Sequence, residues 1–254
     1  LVLRDVKFKL VSLQNIQSEL EEKEMEAWQN LVRVLTHEIM NSIAPISSLA
    51  STVKGDIESK IDANAPIEAS DLEDYLMAIS TIEKRSEGMI NFVSDFRSLA
   101  HIPTPKFQAI RLKLLFDQLE VLLQNQFDAN QIQFIKRVEP QDLILFGDQT
   151  LIEQVLINLI QNAIQAVEDT VTRIVSLKAF IDESGKIIIE ISDSGKGIEE
   201  EALGKIFIPF FTTKKKGSGI GLSLSKQIMR RHKGNIQVKS KLGEGSTFKL
   251  IFNA

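Results

Sequence analysis

Three residues with side chains suited to chemistry lie close together near the start of the chain: His37, Glu38 and Asn41. The apolar residues around them recur at steps of three or four, a spacing typical of one face of an α-helix. At about 100° per residue, His37 and Asn41 fall nearly opposite that apolar stripe, and Glu38 lies on its flank. A histidine there can act as a nucleophile or carry a proton, and the neighbouring carboxylate can orient the ring or accept its proton. A single surface histidine is more often simply solvated, so a chemical function for His37 needs support from the rest of the sequence.

A second set of polar and glycine-rich motifs lies in the C-terminal half of the chain. Asn158 and Asn162 are four residues apart on a helix predicted over residues 148–167, and they therefore share one face. Residues 193–197, Asp-Ser-Gly-Lys-Gly, follow a predicted strand, and residues 217–221, Gly-Ser-Gly-Ile-Gly, open a predicted helix. The free N–H groups and positive dipole end of that helix can hold phosphate oxygens. The glycine spacing also imitates a dinucleotide-binding fingerprint, but no strand directly precedes it and no βαβ repeat surrounds it, which disfavours that fold.

These motifs together resemble those of the sensor histidine kinases of two-component signalling. Residues 37–41, His-Glu-Ile-Met-Asn, match the H-box of that family in the form His-Glu-x-x-Asn. Asn158 and Asn162 resemble the N-box of the GHKL ATPase superfamily, which also includes DNA gyrase and MutL. Residues 193–197 resemble the G1 box of the same superfamily.

The remaining motifs extend the resemblance to the end of the chain. Residues 206–214, Ile-Phe-Ile-Pro-Phe-Phe-Thr-Thr-Lys, resemble the F-box, and residues 217–221 resemble the G2 box. Residues 243–248, Gly-Glu-Gly-Ser-Thr-Phe, match the closing G3 box. The motifs occur in the order of the family, and the resemblance covers about residues 28–254.

The resemblance implies how these motifs bind a nucleotide. Asn162 would ligate Mg²⁺ between the phosphates, because its carbonyl oxygen suits a hard cation. Asp193 would accept a hydrogen bond from the adenine amino group, and residues 199–218 would form a mobile lid. The residues implied in nucleotide binding are Asn158, Asn162, Asp193, Gly195, Gly197, Thr213, Lys214, Gly217, Gly219, Gly221, Leu222 and Thr247.

The same resemblance predicts an ATP-dependent protein histidine kinase that uses ATP and Mg²⁺. Neutral His37 would attack the γ-phosphate, and Glu38 would act as the base toward the other ring nitrogen. The phosphoryl group would then pass to an aspartate of a separate response-regulator receiver domain. Asn41 would position water for the reverse activity, the dephosphorylation of that regulator.

Two other functions are open alternatives. One is a GHKL ATPase that uses hydrolysis to drive a conformational clamp, and the other is a catalytically silent signalling scaffold. Hydrolytic members of the superfamily carry a glutamate base where this chain has Asn158, and an amide cannot take a proton from water. Intact Asn162, Asp193 and glycine boxes argue against the scaffold.

The composition limits the class of protein and its surroundings. With 254 residues, 43% of them hydrophobic, the chain is long enough for two domains with buried cores. The net charge is −4 and charges of both signs are interspersed, so we exclude nucleic-acid binding. The chain has no cysteine, which excludes disulfides and thiolate zinc sites, and we expect the kinase core in the cytoplasm.

The chain begins at Leu1 rather than at a methionine and contains no apolar run of the roughly 20 residues that span a membrane. We therefore expect a fragment of a longer protein. Any membrane association, such as an anchor in the inner membrane, would come from segments absent from this chain.

The predicted fold class is α+β, in four consecutive parts. Residues 1–27 are predicted as a signalling helix that follows the end of an upstream PAS-like sensory domain, and residues 28–101 as a dimerisation and histidine-phosphotransfer domain. Residues 102–105 form the predicted linker, and residues 106–254 the catalytic domain, an α/β sandwich of the GHKL type. Two antiparallel helices in the second part cannot bury both of their apolar stripes alone, so we expect a homodimeric four-helix bundle with His37 facing outward.

Two local signals mark where elements begin and turn. Residues 70–73, Ser-Asp-Leu-Glu, predict a capping box that opens the second long helix. Residues 182–185, Asp-Glu-Ser-Gly, predict a hairpin between two strands.

Overall fold

The computed structural model describes residues 2–3, 6–7, 17–214 and 219–253. The chain divides into two compact units, Leu1–Ile90 and Asn91–Ala254. This division falls inside the second long helix, whereas the sequence predicts a linker after that helix, at residues 102–105. The predicted domain boundaries remain predictions. A helical first part followed by a mixed second part confirms the α+β class.

The first unit is built on a helical hairpin. Two short strands, β1 (Val2–Leu3) and β2 (Val6–Lys7), pair antiparallel, and the long helix α1 (Gln17–Asp62) comes after them. Helix α2 (Ala69–Ala100) follows a short turn and continues into the second unit. The sequence predicts a single PAS-like strand at the start, where the described residues form a pair of two-residue strands.

Polar contacts fix the register of α1 and α2 next to the turn. The hydroxyl of Tyr75 donates to Asp56 Oδ2 at 2.6 Å, and Lys60 Nζ lies 2.6 Å from Asp71 Oδ2. The hydrogen bond to Asp56 raises the pKa of Tyr75 to about 12, so the hydroxyl remains a donor at neutral pH. These two pairs hold one helix against the other at this end of the hairpin.

The cap of α2 differs from the capping box predicted at Ser70 and Glu73. The carboxylate that accepts a free N–H at the start of the helix is Asp71, which binds the N–H of Glu68 at 2.7 Å. Asp71 also forms the ion pair with Lys60 of α1, so one side chain serves both the cap and the helix contact. A pattern in the sequence alone does not show the partner on α1 that favours this position.

Large apolar side chains remain exposed along both helices of the first unit. Their exposed fractions reach 69% at Ile61 and 69% at Met77. The exposed apolar side chains described in this unit are Val32, Met40, Ile43, Ile61, Ile67, Leu72, Leu76, Met77, Ile79 and Ile90. Within the single chain the hairpin therefore leaves part of its apolar surface uncovered.

The second unit is an α/β sandwich around a five-stranded sheet. After β3 (Gln108–Arg111) and helix α3 (Leu112–Ala129) come the strands β4 (Gln133–Glu139) and β5 (Ile144–Gly147). Helix α4 (Gln149–Val167) precedes the strands β6 (Ile174–Ile181) and β7 (Ile187–Asp193). The short helix α5 (Glu200–Leu203), helix α6 (Gly221–Arg231) and the strands β8 (Asn235–Lys241) and β9 (Gly245–Phe252) complete the unit.

The strands of the large sheet lie in the order β4, β6, β7, β9, β8, and only the β4–β6 pair is parallel among the described strands of this sheet. Strands β3 and β5 form a separate antiparallel pair. The predicted hairpin joins β6 and β7, where Asp182 Oδ1 accepts the N–H groups of Ser184 and Lys186. The sequence pattern predicts the four-residue strand β5, as a strand over residues 143–146, but it does not predict the equally short β3 and α5.

The core of the second unit lies between the sheet and helices α3 and α4. Both helices bury a continuous apolar face, on which the fully covered side chains include Leu112, Leu119, Ile152 and Leu156. The buried side chains of β6 and β9 pack from the sheet side, and they include Val175, Leu177 and Leu250. Burial of its apolar face fixes how α4 is rotated, and so places the opposite face, with Asn158 and Asn162, away from the core.

His232 joins the end of α6 to the start of α4. Its Nε2 accepts the N–H of Asp148 at 3.0 Å, and its Nδ1 lies 2.8 Å from the carbonyl oxygen of Ile228. Because Nε2 is an acceptor here, Nδ1 carries the proton and the ring is neutral. The Asp148 carboxylate in turn caps α4, since its Oδ1 accepts the N–H of Leu151 at 3.1 Å. The other oxygen, Oδ2, accepts the N–H of Lys106 at 2.8 Å.

We expect the His232→Phe variant to lower the free energy of unfolding by about 1–3 kcal/mol, because the partly buried N–H of Asp148 loses its acceptor. The His232→Gln variant keeps an amide oxygen and an amide N–H within reach of both partners, and should lose less than about 1 kcal/mol. Chemical denaturation followed by circular dichroism measures both. A larger loss in His232→Gln than in His232→Phe would show that ring packing, and not the hydrogen bonds, gives His232 its effect.

Candidate functional site

A cavity of about 270 Å³ opens at the edge of the sandwich where α4, the end of β7 and the start of α6 meet. Asn158 and Asn162 line it from α4, and Asp193 from β7. The other predicted site residues in its lining are Gly197, Thr213, Lys214, Gly219, Gly221 and Leu222. Motifs far apart in the sequence therefore share one cavity in the second unit.

Asp193 is held by backbone donors at one end of the cavity. Its Oδ1 accepts the N–H of Gly195 at 2.9 Å and the N–H of Ser246 at 3.2 Å. Burial raises the pKa of the Asp193 carboxyl, and these two hydrogen bonds offset the rise only in part. Both bonds end on the same oxygen, so Oδ2 can face a donor in the cavity.

The Asp193→Asn variant should be more stable to heat than the parent at neutral pH. Because burial raises the pKa of Asp193 in the folded protein, the charged carboxylate lowers stability at pH values above the raised pKa. This cost shrinks as the pH falls through the raised pKa, and it is gone below the ordinary pKa of an aspartate. The advantage of Asp193→Asn should shrink over the same interval in thermal unfolding at several pH values. A pH-independent difference between the two proteins would contradict this explanation.

Two glycines allow the chain to pass close to other backbone at this end. Gly197 has a φ of +72°, and a Cβ there would overlap the carbonyl oxygen of Lys241. Gly195 does not itself line the cavity, but a Cβ on it would lie 2.5 Å from the carbonyl oxygen of Ala166. Any side chain at these two positions would push the loop away from α4 and β8, and would so displace Asp193.

Thr247 does not line the cavity, although the resemblance implies a part for it in nucleotide binding. Its Oγ1 lies 3.0 Å from Ser192 Oγ on the neighbouring strand, while Ser246 and Phe248 on either side line the cavity instead. Sequence reasoning missed Ser246. Its place depends on the strand register that sets Ser246 opposite Asp193, which no local motif reveals.

Asn158 packs against the start of α6. Its Nδ2 donates to Ser225 Oγ at 2.9 Å, and Ser225 Oγ donates to the carbonyl oxygen of Gly221 at 2.9 Å. A Cβ on Gly221 would overlap Asn158 Oδ1. A side chain at residue 221 would therefore force the Asn158 amide to move away from the start of α6.

Lys214 and Asn162 meet in another part of the cavity. Lys214 Nζ donates to Asn162 Oδ1 at 2.7 Å and to Gln165 Oε1 at 2.6 Å. Burial lowers the pKa of the Lys214 ammonium, and the charge of Lys196 lowers it further. The Nδ2 of Asn162 makes a long contact of 3.5 Å with Asn158 Oδ1, which leaves the carbonyl oxygen of Asn162 turned toward the lysine.

This arrangement fits a cation at Asn162. Its carbonyl oxygen already accepts from a positively charged group, and amide oxygens are ligands that suit Mg²⁺. No cluster of three or more His, Cys, Asp or Glu residues that could hold a metal occurs in the described part of the chain. A metal ion here would therefore need oxygens from a bound phosphate and from water beside Asn162.

The N-terminus of α6 faces the same cavity. The helix begins at Gly221, the preceding residue Ile220 has no polar side chain that could cap it, and Gly221 and Leu222 line the cavity. N–H groups at a helix start suit an anionic group such as phosphate. Gly217, the first glycine of the predicted G2 box, lies outside the described residues.

The predicted catalytic residues belong to the first unit and lie on α1. The backbone of His37, Glu38 and Asn41 is helical, as predicted, and the side chain of Asn41 is exposed. The side chains of His37 and Glu38 lie outside the described part of the structure. Among the helices that the structure describes, none combines the length and the apolar character needed to span a membrane.

Known proteins are similar to this chain in sequence. The family described as "Histidine kinase-, DNA gyrase B-, and HSP90-like ATPase" matches residues 147–254. The sensor histidine kinase ZraS of Escherichia coli strain K12 is 34% identical over 245 residues, which make up 95% of this chain and 49% of that protein. The signal transduction histidine-protein kinase AtoS of the same strain is 30% identical over 221 residues, with 87% of this chain and 34% of that protein covered. The chain thus spans between a third and a half of the length of these relatives.

Solved structures share the fold. The catalytic domain of histidine kinase ThkA is 34% identical, with 58% of this chain and 95% of that chain covered and a TM-score of 0.52. Histidine kinase ThkA in complex with the response regulator protein TrrA is 25% identical, with 91% of this chain and 65% of that chain covered and a TM-score of 0.60.

The sandwich, the two asparagines on α4 and the loop at Asp193 define an ATPase-type domain of the class that histidine kinases share with DNA gyrase B and HSP90. The relatives that match most of this chain, ZraS and AtoS, both belong to one family within this class, the histidine kinases. The chain belongs to the sensor histidine kinase family.

Proposed function

We propose that this chain is the kinase core of a sensor histidine kinase that phosphorylates itself on His37 with ATP and passes the phosphoryl group to an aspartate of a response regulator. The observation that carries the proposal is the arrangement of the cavity. It has a half-buried carboxylate acceptor, Asp193, in one part, and an amide oxygen that accepts from an ammonium group, a lysine and a helix N-terminus in another. An adenine nucleotide likewise carries an amino donor on its base and negative charges on its phosphates.

At the base end, Asp193 accepts a hydrogen bond from the adenine amino group. The support is that both backbone donors bind Oδ1, which leaves Oδ2 for the base. The glycines Gly195 and Gly197 keep the loop close enough for the base to reach the carboxylate. A raised pKa at Asp193 is the cost of holding this acceptor in a partly buried position.

At the phosphate end, three groups supply positive charge or donors. The N–H groups at the start of α6, around Gly219, Gly221 and Leu222, hold phosphate oxygens, and Lys214 and Thr213 reach them from the other side. Mg²⁺ would be held by Asn162 Oδ1, and when bound it neutralises charge that develops on the phosphates during transfer.

We expect the Gly221→Ala variant to bind nucleotide about tenfold to a hundredfold more weakly, because the added methyl group forces Asn158 and α6 apart at a cost of about 1–3 kcal/mol. The matched control is Gly204→Ala, since a Cβ at Gly204 meets no atom within 4 Å. Titration of a fluorescent ATP analogue measures both affinities. An unchanged affinity in Gly221→Ala would show that this helix contact does not shape the site.

Asn158 favours transfer over hydrolysis. Its amide cannot act as a base toward water, and its Nδ2 already donates to Ser225 of α6. The residue at this position thus supports the helix contact and does not activate water. This argues against the clamp ATPase, in which a base at the same position would drive hydrolysis.

The chemistry at His37 needs a neutral imidazole. One ring nitrogen of His37 attacks the γ-phosphorus, the bond from that phosphorus to the bridging oxygen breaks, and ADP leaves. The proton on the other ring nitrogen of His37 passes to the carboxylate of Glu38. Asn41 lies about one turn further along the helix and orients water for the dephosphorylation of the regulator.

We also propose a homodimer and a receiver-domain partner. The exposed apolar side chains of the hairpin, such as Leu76 and Ile90, would be covered by the same helices of a second copy, which gives a four-helix bundle. The response regulator bound to histidine kinase ThkA supports a receiver domain as the partner that takes the phosphoryl group. We place the kinase core in the cytoplasm, where ATP and receiver domains are available.

Incubation of the purified chain with γ-labelled ATP and Mg²⁺ tests the proposal. The expected result is label on the protein that is labile in acid and stable in alkali, and that moves to a purified receiver domain when one is added. Release of free phosphate with no labelled protein at any time would favour the clamp ATPase. Bound ATP with neither product would favour the silent scaffold.

A further inference from the structure

The side chain of Lys214 binds two oxygens of one helix face. Its Nζ lies 2.7 Å from Asn162 Oδ1 and 2.6 Å from Gln165 Oε1, and both amides project from α4. Residues three apart on a helix share a face, so a single ammonium group can bridge them. The bridge spans 52 positions of sequence between Asn162 and Lys214, and it joins the F-box to the N-box helix.

The same oxygen is the one that the proposed function assigns to Mg²⁺. A metal ion bound to Asn162 Oδ1 would lie close to Lys214 Nζ, and two positive charges at such a distance repel each other strongly in a partly buried site. The lysine and the divalent ion therefore cannot both hold this oxygen at full strength. Either the ammonium group or the metal ion has to leave Asn162 Oδ1.

We propose that Lys214 is a built-in competitor of the divalent cation, and that Gln165 sets the strength of the competition by anchoring the lysine. This inference rests on the proposed function, because it assumes that Mg²⁺ and nucleotide bind at Asn162. When both bind, the ammonium group leaves the two amides for the triphosphate, where it gains a charged partner. Metal binding is thus linked to the release of the F-box lysine from α4.

The neutral character of both amides suits such a competitor. Asn162 and Gln165 offer carbonyl oxygens and no formal charge, so they hold the ammonium group less tightly than a carboxylate would. A doubly charged ion gains more than a singly charged one from the same oxygen, and phosphate offers the lysine a better partner. Gln165 itself has no part in holding phosphate or metal in the proposed function, which makes it a positioning residue that can be changed separately.

The test is the Mg²⁺ dependence of binding of a non-hydrolysable ATP analogue to the whole chain. The dissociation constant of the analogue is measured at a series of free Mg²⁺ concentrations for the parent, Gln165→Leu and Gln161→Leu. Gln161 is the matched control, since it also lines the cavity from α4, is exposed like Gln165, and forms no hydrogen bond with Lys214 among the described residues. The equilibrium between Mg²⁺ and the free analogue is the same for every variant and cancels in the comparison.

The Gln165→Leu variant is expected to reach half of the full Mg²⁺ effect at about threefold to tenfold lower Mg²⁺ concentration, because the competing lysine has lost one of its two hydrogen bonds. Gln161→Leu should match the parent. Lys214→Met should also lower the Mg²⁺ midpoint, while its affinity for the analogue without Mg²⁺ falls because the phosphate contact is lost.

A Gln165→Leu midpoint equal to or above that of the parent would overturn the inference, and so would an unchanged midpoint in Lys214→Met. Absence of analogue binding to the parent at every Mg²⁺ concentration would instead overturn the proposed function, and the inference with it. Failure of the inference and failure of the proposed function are distinguishable, because the inference fails only in an experiment in which the parent binds the analogue.

Discussion

The His37→Gln variant should show no stable label after incubation with γ-labelled ATP and Mg²⁺, at the detection limit of the assay. Glutamine has an amide in place of the imidazole, and an amide nitrogen is not a nucleophile toward phosphorus. The variant should still bind ATP with the affinity of the parent, because the cavity is lined by residues of the second unit alone. A complete loss of label with unchanged ATP binding would assign the phosphoryl acceptor to this residue.

The chain contains two further histidines, which give matched controls for that result. His101 is exposed just after the end of α2, and His101→Gln should keep the full label of the parent. His232 is buried, and its neutral ring is bonded to Asp148 and Ile228, so both of its nitrogens are already engaged. Label that persists in His37→Gln and disappears in His101→Gln would show that the H-box assignment is wrong.

The Asp193→Asn variant should bind ATP about a hundredfold more weakly than the parent. Asparagine keeps one oxygen for the N–H groups of Gly195 and Ser246, and its NH₂ group takes the place of Oδ2. Two donors, this NH₂ group and the adenine amino group, then face each other, and the hydrogen bond is replaced by an unpaired buried group. Calorimetric titration of ATP measures the loss.

GTP separates this explanation from a general collapse of the site. Guanine carries an oxygen acceptor where adenine has its amino group, so the new NH₂ group can donate to it. The ratio of ATP affinity to GTP affinity should therefore fall by at least about tenfold in Asp193→Asn. An equal loss of affinity for both nucleotides would show that residue 193 does not contact the base.

The sequence pattern predicts the elements with long apolar faces well. It predicts helix α4 over residues 148–167, and the helix runs from Gln149 to Val167 with Asp148 as its cap. A periodic face of five turns leaves little freedom in where such a helix starts or how it is rotated. For the same reason the shared outward face of Asn158 and Asn162 follows from their spacing alone.

Contacts that depend on strand register or on distant side chains are beyond such patterns. Ser246 donates to Asp193 because β7 and β9 pair in one register, and Lys214 reaches Asn162 from another part of the chain. The cap of α2 at Asp71 depends on a lysine of α1, so the box predicted at residues 70–73 is misplaced. In each case the hydrogen-bond or ion-pair partner is distant in the sequence and is brought close by the tertiary structure, and a local pattern carries no information about it.

The hydrogen bond from the N–H of Lys106 to the Asp148 carboxylate connects the start of helix α4 to a chain segment 42 positions earlier. The chain segment that ends at Lys106 is fastened to the cap of the same helix that carries Asn162, which lies about 21 Å further along at about 1.5 Å per residue. A displacement of that segment would therefore act on the N-terminal end of α4. In the proposed function this helix also carries the amide for the cation, so a movement upstream of Lys106 that shifts the cap would reach the cation site through α4.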